Sequence, residues 1–128
     1  MIVLDTHAFV WWAAKSSKLS AVARRSVDAS ARRGIPAISL WEIAMLAERR
    51  RLVLDRDVQD WLSDALALDG VELLPLTTDI AVRSTRLGRG APADPADQII
   101  VATALVHGAP LVTRDERIRG FGGVTTLW

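Results

Sequence analysis

Ile2-Val3-Leu4-Asp5, near the start of the chain, is an unbroken apolar run that ends on a carboxylate. A strand with one face in water alternates apolar and polar residues. A run without alternation has both faces covered, as in a parallel sheet between helices. The stretch therefore predicts a buried parallel strand with an acid at its exit. Working outward, Ile35-Pro36-Ala37-Ile38 is the next strand candidate. Its Pro36 predicts a place at a sheet edge or among the strand's first residues. Val71 to Leu74, Leu111-Val112 and Val124 to Leu127 supply the others.

Helical stretches fall between these runs. Phe9 to Ala14 forms a short one. Ser20 caps another to about Arg33, where Gly34 stops it. Ser39 opens a third, through about Arg50. Asp55 or Asp57 opens a fourth, which puts Val58, Trp61, Leu62, Ala65 and Leu66 on one face before Gly70 ends it. Thr77 or Thr78 caps a helix to about Leu87. After a loop from Gly88 to Ala93, Asp94-Pro95 opens a strongly apolar helix to His107, with Gly108 just beyond. Strands alternating with helices predict an α/β fold of three layers, α/β/α, around a mainly parallel central sheet.

The chain has 128 residues, the length of one domain spanning 1–128. A chain of this size buries roughly 67% of its unfolded surface, enough for a core without staples. Hydrophobic residues make up 50% and charged residues 24%, which excludes a disordered chain. There is no cysteine, which excludes disulfides, thiolate catalysis, zinc fingers and iron–sulfur clusters. The first residues lack a basic segment, so no signal peptide is expected. No apolar stretch approaches the length of a membrane span. The expected location is the cytoplasm. The net charge of +1 says little about partners. Lys15 and Lys18 are the only lysines, and the remaining positive charge is Arg, which suits bidentate phosphate contacts. Genomic base composition produces the same Arg- and Ala-rich bias.

Most acids lie on polar helix faces. Asp5, Glu42, Asp97 and Asp115 do not: three follow strands, and Asp97 sits at a helix start. In an open parallel sheet, the strand ends that lead into helices share one rim, and ligands bind there. Acids from distant parts of the chain can thus converge on one cleft. Carboxylates so gathered repel unless a cation is present, and oxygen-only donors favour Mg²⁺ or Mn²⁺. Each acid also has a plain structural reading. Ser39-x-x-Glu42 and Thr113-x-x-Glu116 match the capping box, and Asp94-Pro95 is a good cap with proline at the first helical position.

Taken together, four segments resemble the PIN-domain ribonucleases, and among them the VapC-type toxins of bacterial type II toxin–antitoxin pairs. They are Ile2-Val3-Leu4-Asp5-Thr6-His7, Ser39-Leu40-Trp41-Glu42-Ile43-Ala44, Asp94-Pro95-Ala96-Asp97-Gln98-Ile99-Ile100-Val101-Ala102-Thr103-Ala104 and Leu111-Val112-Thr113-Arg114-Asp115. Each is weak alone, but the four share the family's order and spacing over nearly the whole chain. The resemblance implies a Mg²⁺- or Mn²⁺-dependent endoribonuclease whose metal-binding, catalytic acids are Asp5, Glu42, Asp97 and Asp115. Thr113, Asp94 and Thr6 are the accessory candidates. Products with 5′-phosphate and 3′-hydroxyl ends are implied, as are an inhibitory antitoxin and a homodimer. One departure stands out: many relatives have Arg after the third acid, where this chain has Gln98.

Other chemistries fit less well. A nuclease built on paired histidines has only His7 and His107 to draw on, and His107 falls at a helix C-terminus, where it complements the dipole. A phosphoacceptor receiver would need a late lysine. A haloacid-dehalogenase-type phosphatase would need Asp-x-Asp where this chain has Asp5-Thr6-His7. No phosphate-binding Gly-Lys-Ser/Thr loop exists. The readings from other classes are a non-catalytic RNA- or protein-binding domain of the same fold, and a PIN nuclease of RNA maturation without an antitoxin. For RNA contact, Arg114, Arg117 and Arg119 adjoin the Asp115 segment and are preferred to Arg83, Arg86 and Arg89, which read as a solvated helix face. Arg49-Arg50-Arg51 reads as helix-end complementation. Trp41 and Trp61 read as core. Trp11 and Trp12 are adjacent, so on a helix they point apart. That leaves one of them outside the core, where it suits an antitoxin groove.

Overall fold

Successive side chains of a strand point to opposite faces, and β1 (Ile2–Leu4) buries both of its faces. Ile2 and Leu4 enter one core with Phe9, Val27, Ile35, Ile43 and Trp61. Val3 enters a second with Ile100, Val101, Leu111 and Ile118. The split recurs at β4 (Leu111–Val112), where Leu111 joins the second core and Val112 the first. The computed structural model, which describes residues 1–128, is thus a sheet between two cores, the three layers that the apolar runs predict. With β2 (Arg33–Pro36), β3 (Val71–Leu74) and β5 (Thr126–Leu127), the order is β3-β2-β1-β4-β5, and every pairing is parallel.

Helices α1 (Thr6–Ala13) and α2 (Ala21–Ala29) connect β1 to β2, and α3 (Ala37–Glu48) and α4 (Val58–Leu66) connect β2 to β3. The chain then crosses to the other face through α5 (Thr78–Ser84) and α6 (Pro95–Val106) to reach β4, and α7 (Glu116–Phe121) leads to β5. The strand order therefore reverses between β1 and β4. No helix is long and apolar enough to cross a membrane.

Several local expectations change. The second strand ends at Pro36 and the helix begins at Ala37, two residues earlier than the sequence suggests. Pro36 lies in an interior strand, not at an edge. It sits beyond the residues paired with β1, so its missing N–H leaves no gap in that ladder. Ser39 is therefore inside α3 and caps nothing; the N-cap, Pro36, makes no side-chain hydrogen bond. Gly34 does not stop α2, which ends at Ala29; it lies in β2, where a Cβ would come 2.5 Å from Leu74 Cδ1. Helix α1 starts at Thr6 because Asp5 caps it. Helix α5 closes at Ser84, short of Leu87. Helix α7 is an addition, capped by Asp115 through the N–H groups of Arg117 and Ile118, so Thr113-x-x-Glu116 is not a capping box. The Ser20, Asp57, Thr77 and Asp94 caps form as expected.

Candidate active site

Because all strands run the same way, their exits lie on one rim. Asp5 leaves β1 there and is 9% exposed. Its Oδ1 accepts from the Thr6 N–H at 2.7 Å, and its Oδ2 accepts from Thr113 Oγ1 at 2.7 Å. Thr113, which follows β4, also accepts from the Asp115 N–H at 3.0 Å. These bonds tie the β1 and β4 exits together at the point where the strand order reverses.

Glu42 comes from α3, one turn after Ser39 and on the same face. Thr6 Oγ1 lies 2.6 Å from Glu42 Oε1 and 2.9 Å from Ser39 Oγ. A threonine hydroxyl has one proton, and the carboxylate is the stronger acceptor, so Thr6 donates to Glu42 and the Ser39 hydroxyl supplies the other bond. Asp97 lies in the first turn of α6, where its N–H bonds to the Asp94 cap at 3.1 Å. Asp115 caps α7, its Oδ1 accepting at 2.8 Å and 3.1 Å. Every buried side-chain polar atom has a partner.

The carboxylates of Asp5, Glu42, Asp97 and Asp115 line one cleft of about 400 Å³, together with Thr6, His7, Trp11 and Arg114. Four acids from four separate segments meet there. Their charge shows in their proton affinities. Burial pushes the Asp5 carboxyl up, against the hydrogen bonds from Thr113 and Thr6 that pull it down. Burial also pushes Glu42 up, opposed by Thr6 and helped by Asp5 and Asp94. Asp97 moves furthest, to about 7, through burial first and then repulsion from Asp5, Asp94, Asp115 and Glu42. The N-terminus of α6 favours the anion, but by no more than about 2 kcal/mol, too little to reverse this.

Oxygen-only donors of this kind suit a hard divalent cation. No three of them converge closely enough to form a ready-made cage. Thr6 and Thr113 fix Asp5, Glu42 and the Asp115 backbone by hydrogen bonds, and like charge keeps such carboxylates apart.

The remaining sequence candidates divide by position. Thr6 and Thr113 are the connectors just described. Asp94 is exposed, caps α6 and does not line the cleft. Arg114 lines it; Arg117 and Arg119 are exposed on α7, outside it. Gln98 reaches back to the Pro92 carbonyl at 2.8 Å and pins the loop before α6. Trp41 is 56% exposed, contrary to the expectation of a core residue, whereas Trp61 is buried. Neither Trp11 nor Trp12 is fully exposed. Trp11 faces the cleft, while Trp12 donates to Asp28 at 2.9 Å and stacks under Arg33. Ser39 and Trp11 were not legible as parts of the site. His7 and Trp11, four apart on α1, already share a face in the sequence, and that spacing was the available signal for Trp11.

The PIN-domain family model matches residues 2–124. The chain is 36% identical over 118 residues to Ribonuclease VapC22 of Mycobacterium tuberculosis, an alignment covering 92% of this chain and 89% of that protein. Among solved structures, a toxin–antitoxin complex from Klebsiella pneumoniae superposes with a TM-score of 0.70 at 23% identity, covering 98% of this chain and 97% of that one. VapBC2 from Rickettsia felis, bound to a DNA fragment from its promoter, gives 0.71 at 18% identity, with coverages of 98% and 97%. At these identities the two structures speak to the fold alone.

Proposed function

Because the chain belongs to the PIN-domain family, on its VapC branch, we propose that it is a divalent-metal-dependent endoribonuclease held inactive by a small cognate antitoxin in the cytoplasm. The observation that carries the reading is the meeting of Asp5, Glu42, Asp97 and Asp115 in one cleft at the sheet's reversal point. These four residues would hold Mg²⁺ or Mn²⁺, directly or through water. A bound ion supplies charge neutralisation at phosphorus and lowers the pKa of the attacking water.

The chain's own contribution is placement. Thr113 fixes the Asp5 carboxylate and the Asp115 backbone with one hydroxyl. Thr6 holds Glu42 toward the cleft, and Ser39 orients Thr6. The Asp97 carboxyl, pushed up to about 7 in the metal-free chain, would have to be ionised to hold a cation. Arg114 offers the cationic side chain of the cleft to a phosphate. By family resemblance the products carry 5′-phosphate and 3′-hydroxyl ends, and the protein acts as a homodimer.

The test is cleavage of total bacterial RNA by purified, antitoxin-free protein with Mg²⁺, with Mn²⁺ and with EDTA, alongside Asp97→Asn. The expected result is discrete cuts that need metal and vanish in the variant. Cuts that survive both EDTA and the variant overturn the assignment. Folded protein that cuts no RNA favours a non-catalytic binding domain.

A further inference from the structure

Helix α1 carries more than the Asp5 cap. His7 and Trp11 lie one above the other on one face, with ring centroids 5.5 Å apart. The Trp11 ring is backed by Trp128 at 5.9 Å, and the Arg114 guanidinium lies 5.8 Å from its centroid. Trp11 is the one hydrophobic residue among those lining the carboxylate cleft. Arg114 is exposed and makes no ion pair, although acids surround it; the ion pairs of the molecule involve only Arg32 and Arg56. A large ring half-buried in a polar wall, with a guanidinium over it that makes no ion pair, has the makeup of a site for a flat, uncharged ring attached to a phosphate. At 1.5 Å rise per residue, Trp11 stands about 9 Å along the helix from Asp5. That is too far to face the reacting phosphorus and suited to the neighbouring base.

We propose that Trp11, braced by Trp128 and flanked by His7 and Arg114, is a stacking platform for an unpaired base next to the scissile phosphate. Trp11 is then a positioning residue, and the restriction it imposes is an unpaired base at that one position. Base-paired RNA keeps its bases inside the helix and has no free face to offer. The proposal rests on the ribonuclease reading for its substrate class.

The test uses full-length protein and a fluorescently labelled single-stranded oligoribonucleotide, free or annealed to its complement. Binding is measured in Mg²⁺ on the Asp97→Asn chain, which leaves the strand intact, with and without Trp11→Leu or Trp11→Phe. Leucine retains apolar bulk without a π face; phenylalanine retains the face. Trp11→Leu is expected to weaken single-strand binding roughly tenfold or more, and Trp11→Phe to recover most of it. With Asp97 intact, Trp11→Leu is expected to raise KM by a similar factor and leave kcat nearly unchanged. The single strand is expected to quench the parent's tryptophan fluorescence, and the duplex to bind more weakly. A Trp11→Leu chain that binds and cleaves like its parent overturns the platform and leaves the nuclease intact. Duplex bound as well as single strand overturns the restriction. If no chain cleaves but binding still depends on the Trp11 ring, the nuclease reading fails and the platform stands. If Trp11→Leu unfolds, the parent's fluorescence decides, and an unquenched signal overturns the proposal.

Discussion

Asp97 sets the acid–base behaviour of the cleft. Its folded pKa of about 7 lies above the ordinary 3.8. The folded state therefore holds a proton that the unfolded state gives up between those values. Asp97 favours folding most below pH 4, and that contribution is lost as pH rises through 7. Metal-free protein should gain thermal stability on acidification from pH 8 toward pH 5. Asp97→Asn should flatten that slope and raise Tm at pH 8 by roughly 3–5 °C, the equivalent of about 1 kcal/mol. Differential scanning calorimetry across this range checks both. The variant keeps its place in α6, since the Asp94 cap bonds to the residue 97 backbone N–H, and yet it should not cleave. Thr113 is the second sensitive residue. Thr113→Val removes the donor to a buried carboxylate and the acceptor for the Asp115 N–H. It should cost about 1–3 kcal/mol in urea unfolding and most of the cleavage rate, and Thr113→Ser should restore both.

At the scale of elements, Asp5 and Asp115 cap helices and also line the cleft, whereas Asp94 caps without lining it. Asp94 caps α6 outside the cleft, so Asp94→Asn should preserve both stability and cleavage, while Asp94→Ala should cost about 1 kcal/mol. Gly34→Val should destabilise β2 by about 1–3 kcal/mol, because Leu74 fills the space a side chain needs. Elements announced by apolar stretches could be read directly: β1, β3 and β4 fall where Ile2–Leu4, Val71–Leu74 (broken only by Glu72) and Leu111-Val112 place them. β2 could not, because half of it is Arg33-Gly34, which has no strand signature, and its register comes from β1 and β3. Helix α7 is six residues long and contains Gly120, too short for periodicity to show. The acids were legible because three of them follow strand candidates and Asp97 stands at the start of an apolar helix. Ser39 was not, because a serine before a helical run looks like a cap, and only the position of Thr6 gives it a different bond.

At the scale of the whole molecule, the cleft exists because the parallel sheet brings its strand exits to one rim and reverses its order beside β1. Under the proposed function a divalent cation would relieve the repulsion concentrated there, and it should bind the folded chain and not the unfolded one. At a hundredfold excess over Kd, Mg²⁺ should add about 2.7 kcal/mol at pH 8. The gain should be smaller at pH 6, where Asp97 keeps its proton. Thermal scans with and without Mg²⁺ at the two pH values test this, and Asp97→Asn should abolish most of the difference. The bond from Thr113 to Asp5 spans 108 positions of the chain. For a protein whose proposed substrate is RNA, that separation delays assembly of the cleft until translation is nearly over. A nascent chain that has not yet been extended past β4 lacks both Thr113 and Asp115, so the ribosome that is making the protein finishes nearly all of it before a complete cleft can form. Premature stop codons before that point should yield harmless fragments.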